Sequence, residues 1–248
     1  MNKNISITIL TKNSSGTICA TLESTKKFHE VLVLDTGSTD NTVAMCQNFS
    51  NVKVAHAPFT GFGPTHNTAS LMACNDWILS LDSDEVLSEQ LQTEILNLPL
   101  REDTVYAIRR HNYFNGKRIT TCSGWDPDWV VRLYNKTKCG FSLDQVHEKI
   151  LYNDLQKQPL QHPMIHTPYR EIADFLHKMQ AYSGLFAIQN ADRKGASVLT
   201  AIFHGWMAFI KSYFFKKGIL QGAEGFIISI YNAHTTFYKY LKLVNIKK

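Results

Sequence analysis

The feature that most constrains this chain is an alternation. Over the first hundred residues, apolar runs of strand length take turns with segments that carry helix caps. Residues 5–10 hold β-branched side chains at near-alternating positions, and Val52-Lys53-Val54-Ala55 makes another short strand. Val31-Leu32-Val33-Leu34 and Trp77-Ile78-Leu79-Ser80-Leu81 are almost wholly apolar, as strands covered on both faces are. Helices are expected over 17–27, 42–49, 65–75 and 88–96. Ser38, Thr39 and Asp40 can cap the second, Ser88 the fourth, and Pro99 lies beyond the end of the fourth. Such alternation implies an α/β fold: a mostly parallel sheet with right-handed crossovers and flanking helices.

In open sheets of this kind, ligands bind outside the carboxyl ends of the strands. Three polar clusters fall on that edge: Thr11-Lys12-Asn13, Asp35-Thr36-Gly37-Ser38-Thr39-Asp40 and Asp82-Ser83-Asp84. Carboxylates at the mouth of a buried strand are costly unless a cation compensates them. Asp82 and Asp84 therefore suggest a divalent metal, an ion commonly shared between one or two carboxylates and substrate phosphates. The plainer alternative is a solvated acidic turn. Gly37 permits a tight turn, and the helix start behind it favours negative charge; here the plainer alternative is an ordinary capped helix.

The 248 residues suffice for one large domain or a domain with an appendage. We divide them into an α/β domain, 1–168, and a helical region, 169–248. Hydrophobic residues at 44% and charged residues at 19% mark a chain that folds. A net charge of +5 without an arginine-rich stripe predicts no nucleic-acid partner, and suits anionic small ligands or an anionic membrane surface. Five scattered cysteines without a Cys-x-x-Cys pair read as reduced thiols. A strand-like run follows Met1-Asn2-Lys3-Asn4 directly, so a cytoplasmic chain without a signal peptide is expected.

From 105 to 152 the pattern changes. Residues 105–109 and 129–134 read as strands, and Asn115-Gly116 signals a hairpin, so antiparallel pairing is expected at one side of the sheet. Helices are expected over 171–191, 198–215 and part of 222–243. The stretch 202–215 is apolar but broken by His204 and Lys211. That suits a peripheral membrane contact better than a span of ~20 apolar residues; packing against the catalytic domain is the alternative.

Taken together, Thr11-Lys12-Asn13, the Asp35–Asp40 run, Gly61-Phe62-Gly63, Leu81-Asp82-Ser83-Asp84-Glu85, Gly124-Trp125-Asp126-Pro127-Asp128, Arg132-Leu133 and Val146-His147-Glu148 resemble family 2 of the inverting nucleotide-sugar glycosyltransferases. More narrowly, they resemble bacterial lipopolysaccharide core transferases. The resemblance implies the GT-A (Rossmann-like) fold, a UDP-sugar donor, a lipid-linked saccharide acceptor and Mn²⁺ or Mg²⁺. It implies donor binding by Thr11, Asn13, Asp35, Gly37, Ser38, Asn67, Asp82 and Arg132, with the metal held by Asp84 and Asp82. Many family members carry two acids at the second strand end; Thr36 stands at the second position here, which leaves the nucleotide base open.

Inversion requires a base that takes the acceptor hydroxyl's proton. Glu148 is the first choice, followed by Asp128 and Asp126; all three have a structural alternative as turn or solvated residues. Arg132 can pair with the diphosphate or with one of these acids. Trp125 and His147 are placed at the acceptor; Trp129 can stack on a sugar there too or be ordinary core, and Trp125, next to Gly124, is the better candidate. The rival functions are a sugar nucleotidyltransferase, whose glycine- and arginine-rich first loop is not evident here, and a non-catalytic nucleotide-sugar-binding protein.

Overall fold

The computed structural model describes residues 4–122, 124–144 and 148–246. The chain forms two compact units, Met1–Arg110 with Trp129–His166, and His111–Asp128 with Thr167–Lys248.

The first unit is built on a sheet. Its strands are β1 (Ile5–Thr11), β2 (Glu30–Asp35), β3 (Val52–His56), β4 (Trp77–Asp82), β5 (Glu85–Leu87), β6 (Thr104–Phe114), which continues into the second unit, and then β7 (Lys117–Arg118) within that unit and β8 (Asp128–Asn135) leading back. β9 (Gly140–Phe141), β10 (Ile150–Leu151), β11 (Gln156–Pro159) and β12 (Met164–His166) follow. The spatial order is β3-β2-β1-β4-β8-β6-β12-β5. β3, β2, β1 and β4 run parallel, whereas β8 is antiparallel to β4. The chain therefore winds outward one way from β1 to β3 and restarts on the other side of β1 with β4. The gap between the ends of β1 and β4 is a topological switch point, where sheets of this type bind ligands.

Alternation along the strands supplies both faces. Ile7, Ile9, Val31, Val33, Leu79 and Leu81 belong to one buried cluster. Leu32, Ile78, Val105 and Tyr134 belong to another, as period-two side chains must. All six residues of β2 are buried.

The helices of this unit are α1 (Ile18–Glu23), α2 (Thr42–Cys46), α3 (Phe62–Met72) and α4 (Glu89–Asn97). Ser88 caps α4 by accepting from Leu91 N at 3.2 Å, as expected. α3 begins three residues earlier than the sequence predicts. Its turn-like residues Gly63 and Pro64 sit in the first helical turn, where Pro is tolerated because that N–H has no helical partner. β5 and β12 were not anticipated: at three residues each, they carry too short a pattern to read.

The second unit contains α5 (Ile172–Asn190), α6 (Val198–Ile210), a π-helical turn (Lys211–Phe215), a 3-10 turn (Gly218–Gln221) and α7 (Ala223–Ile246). The Asn115-Gly116 turn joins β6 to β7 as predicted. Residues 111–128 share this unit because Phe114, Ile119, Cys122 and Trp125 form one buried cluster with Phe175 and Ile228.

Candidate active site

Parallel register brings the strand ends together. Thr11 pairs with Asp35 across β1–β2, and Leu10 with Asp82 across β1–β4. Side chains then tie the loops to one another. Asn13 N donates to Ser38 Oγ (2.9 Å) and Asn13 Oδ1 accepts from Thr39 N (2.8 Å). Ser14 and Ser83 hydroxyls meet at 2.9 Å, linking the first loop to the Asp82–Asp84 turn. Thr36 donates to the Thr11 carbonyl from N (3.0 Å) and from Oγ1 (3.2 Å), so the residue replacing a family acid closes the β1–β2 junction. Asp35 is buried and accepts from Gly37 N and Ser38 N, each at 3.0 Å. Burial works to raise its carboxyl, but these donors hold it below the usual range. Gly37 has φ +102°, a conformation that only glycine adopts without strain.

The fourth strand ends in charge. Asp82 and Glu85 flank the two-residue turn Ser83-Asp84, and Asp82 N donates to Glu85 Oε2 at 2.9 Å. Arg132, from β8, bonds Asp82 Oδ2 and reaches Glu85 Oε1 at 2.5 Å. Arg110, from β6, reaches the same Glu85 oxygen at 3.2 Å. Burial pushes the Asp82 carboxyl up, but Arg132, His66 and Arg110 hold it well below its ordinary value. Arg132 was expected on a diphosphate or on Asp126, Asp128 or Glu148. It pairs with Asp82 and Glu85 rather than with any of those three acids, because the wholly buried Glu85 carboxylate requires a cation. Glu85, Arg110 and His166 had been given no role; His166 Nε2 lies 3.6 Å from Asp84 Oδ1.

α3 holds the segment that leads to Glu148. A Cβ on Gly63 would meet Ser142 O at 1.8 Å, so only glycine allows this approach, and Gly63 N donates to Asp144 O at 3.2 Å. Asn67 brackets Phe141, donating to its carbonyl and accepting from its N–H, both at 2.9 Å. Asn67, expected at the donor pocket, thus has its amide engaged by the Phe141 backbone. His66 stacks on Phe141 at 4.4 Å, and its Nδ1 meets Ser80 Oγ at 3.2 Å. Its Nε2 is 4.0 Å from Glu148 Oε1. Burial drops His66 to about 4, so it is neutral near pH 7. Burial pushes Glu148 up, and the charge of Asp82 adds to the rise.

The first unit thus gathers Thr11, Asn13, Asp35, Gly37, Ser38, Asp82, Asp84, Arg132 and Glu148. Asp126, Asp128 and Trp125 belong to the second unit. There Arg118 Nη2 approaches Asp126 at 3.8 Å, and Asn112 Nδ2 donates to Asp128 at 3.0 Å. Trp125 is 7% exposed and stacks on Tyr169, whereas Trp129 is 41% exposed. Trp125 completes an aromatic core in this unit, and Trp129 is the more exposed of the two. His147 lies outside the described residues.

Among the described residues, no three His, Cys, Asp or Glu side chains cluster tightly enough to hold a metal alone. Asp82 and Asp84, at the end of β4 and in the turn after it, both keep partly exposed carboxylates.

The model of the family described as glycosyl transferase family 2 matches residues 6–159. An uncharacterized glycosyltransferase of Rickettsia bellii is 28% identical over 98% of this chain and 87% of its own length. The lipopolysaccharide core biosynthesis glycosyltransferase LpsC of Rhizobium meliloti is 24% identical over 96% of this chain and 91% of its own. Among solved structures, S. aureus TarS in complex with UDP gives a TM-score of 0.48 at 18% identity, covering 90% of this chain and 75% of that one.

Proposed function

The chain belongs to glycosyl transferase family 2, and on that premise we propose that it transfers a hexose, glucose above all, from a UDP-sugar to a lipopolysaccharide inner-core sugar, with inversion. Family membership makes the chain a glycosyltransferase and removes the nucleotidyltransferase alternative. The similarity to LpsC supports the choice of acceptor class. The setting would be the cytoplasmic face of the inner membrane.

The observation that carries this reading is the charged edge at the β1–β4 switch point. Asp35 and Asp82 end the two strands that flank β1, Asp84 follows in the turn after β4, and sheets of this kind bind nucleotides at that edge. The loop after β2, folded around Asp35, presents the nucleoside side. Arg132 fixes Asp82 in place, which leaves Asp84 as the freer metal ligand. A bound Mn²⁺ or Mg²⁺ would offset the charge growing on the departing diphosphate. Glu148 takes the proton from the acceptor hydroxyl. Its raised pKa moves it toward the working pH, which favours proton transfer.

The test is UDP-sugar turnover with Mn²⁺ in Asp84→Ala. We expect turnover to fall at least 100-fold and Mn²⁺ affinity, read by titration in the presence of UDP, to weaken in parallel. Wild-type turnover and affinity in this variant would remove the metal role.

A further inference from the structure

In a helix of a water-soluble protein, the large apolar side chains face inward. α6 and the π-helical turn after it are built the other way round. Their buried residues are Ala201, Gly205 and Ser212. A Cβ on Gly205 would meet Phe237 Cβ at 3.0 Å and Ala233 O at 3.3 Å, so α6 lies close along α7 through its small residues. The large side chains Leu199, Phe203, Trp206, Phe215 and Leu220 point outward; Trp206 is 60% exposed and Phe215 74%. Small residues between helices with large apolar ones outside is the packing pattern of helices that contact lipid. An exposed apolar surface of this extent marks an interaction site.

Charge identifies the occupant. From Val198 through Ala223 the chain has no Asp or Glu, while Lys211, Lys216 and Lys217 are all exposed. An aromatic and aliphatic face edged only by lysine matches a bilayer surface with anionic headgroups. We infer that the outward face of α6 and of the two turns that follow it docks this protein on an anionic lipid surface, lying in the interface. By length and composition, Val198–Phe215 is the one stretch among the described residues suited to crossing a membrane. Its 18 residues reach only ~27 Å at helical rise, short of the ~30 Å hydrocarbon core. Its inner face is already packed on α7, so a single side is left for lipid. The inference gives the proposed peripheral contact a surface and a lipid class. It does not depend on the catalytic reading, and its test requires no turnover.

The experiment is flotation of the purified full chain with phosphatidylglycerol/phosphatidylethanolamine vesicles, set against phosphatidylcholine vesicles. Binding is expected to the anionic vesicles, at least tenfold weaker to the neutral ones, and reversed by a carbonate wash. Replacing Lys211, Lys216 and Lys217 by Gln should lower partition about 100-fold at low salt, near fivefold per lysine. The double variant Phe203→Ser, Trp206→Ser should lose at least tenfold with an unchanged circular dichroism spectrum, because both residues are exposed. Brominated lipid should quench tryptophan emission, and Trp206→Phe should abolish that quenching. Absence of flotation overturns the inference, as does retention after carbonate, which would indicate a span. A lipid-independent dimer dissociated by the double variant also overturns it, since a second copy would then occupy the face.

Discussion

Glu30 and Glu148, carboxylates at opposite ends of the parallel sheet, shift in opposite directions. At the amino end, Glu30 accepts from the Ser6 hydroxyl and from Cys74 N at 2.9 Å, and meets Lys53 Nζ at 3.4 Å. Asn75 in turn donates to Ser6 Oγ from N at 3.1 Å and Nδ2 at 2.9 Å. Burial works to raise Glu30, yet donors from Cys74 and Ser6 bring it down to about 2. At the carboxyl end, burial raises Glu148 and the neighbouring Asp82 raises it further, while the adjacent His66 is held neutral. Burial thus does not decide the behaviour of these groups; the supply of donors does. A carboxylate with every need met is a clamp. One left short of positive charge exchanges its proton more readily, and that is useful in catalysis.

Four measurements bear on this contrast. The largest effect is expected from Glu148→Gln, which should cut kcat by about 10²–10⁴-fold with donor binding nearly intact. In the wild type, kcat should fall on the acid side with an inflection above the ordinary carboxylate value of 4.5, because the base must be ionised. An unchanged kcat would move the role to Asp128 or Asp126. Next is Arg132→Leu, which leaves Glu85 buried without its nearest cation and should cost ~3–5 kcal/mol of stability. Adding Glu85→Leu should recover part of that loss in chemical denaturation; strict additivity would mean that the pair is not coupled.

His66 comes third. Its folded pKa of about 4 lies below the ordinary 6.5, so its contribution is present above pH 6.5 and is lost as pH falls through the interval down to 4. The limit is about 3 kcal/mol. Stability measured at pH 7.5 and 5 should converge by about 2 kcal/mol in His66→Leu relative to wild type, the part of that limit reached by pH 5; equal pH sensitivity would show that His66 is not the group responsible. The smallest effect is Glu30→Gln, expected to cost about 2 kcal/mol of stability and to leave kcat unchanged. A fall in kcat without loss of stability would erase the distinction between the two ends.

Legibility in the sequence followed the range of the physical signal. The parallel strands were readable because apolar runs and caps are local. The three polar clusters were readable as neighbours because one topological rule places every strand end on the same edge. Asn67 and Trp125 have tertiary partners that no local pattern announces. A side chain that looks ready for a ligand can be captured by partners distant in sequence, Phe141 for the one and Tyr169 for the other. Glu85 stood inside a run already singled out, but nothing local distinguishes a carboxylate that will be wholly buried from one that will face water. Residues 111–128 looked like a continuation of the sheet domain, while their aromatic side chains complete a core with Phe175 and Ile228 of helices far along the chain.

From composition and pattern alone come the α/β class, the acidic strand ends and the apolar stretch at 202–215, since each depends on residues adjacent along the chain or one turn apart. Which acid is clamped, which histidine stays neutral and which tryptophan faces outward depend on dielectric surroundings and on donors carried by other strands. Those are properties of the packed molecule, set when β8 delivers Arg132 to Asp82 and α3 closes on the segment before Glu148.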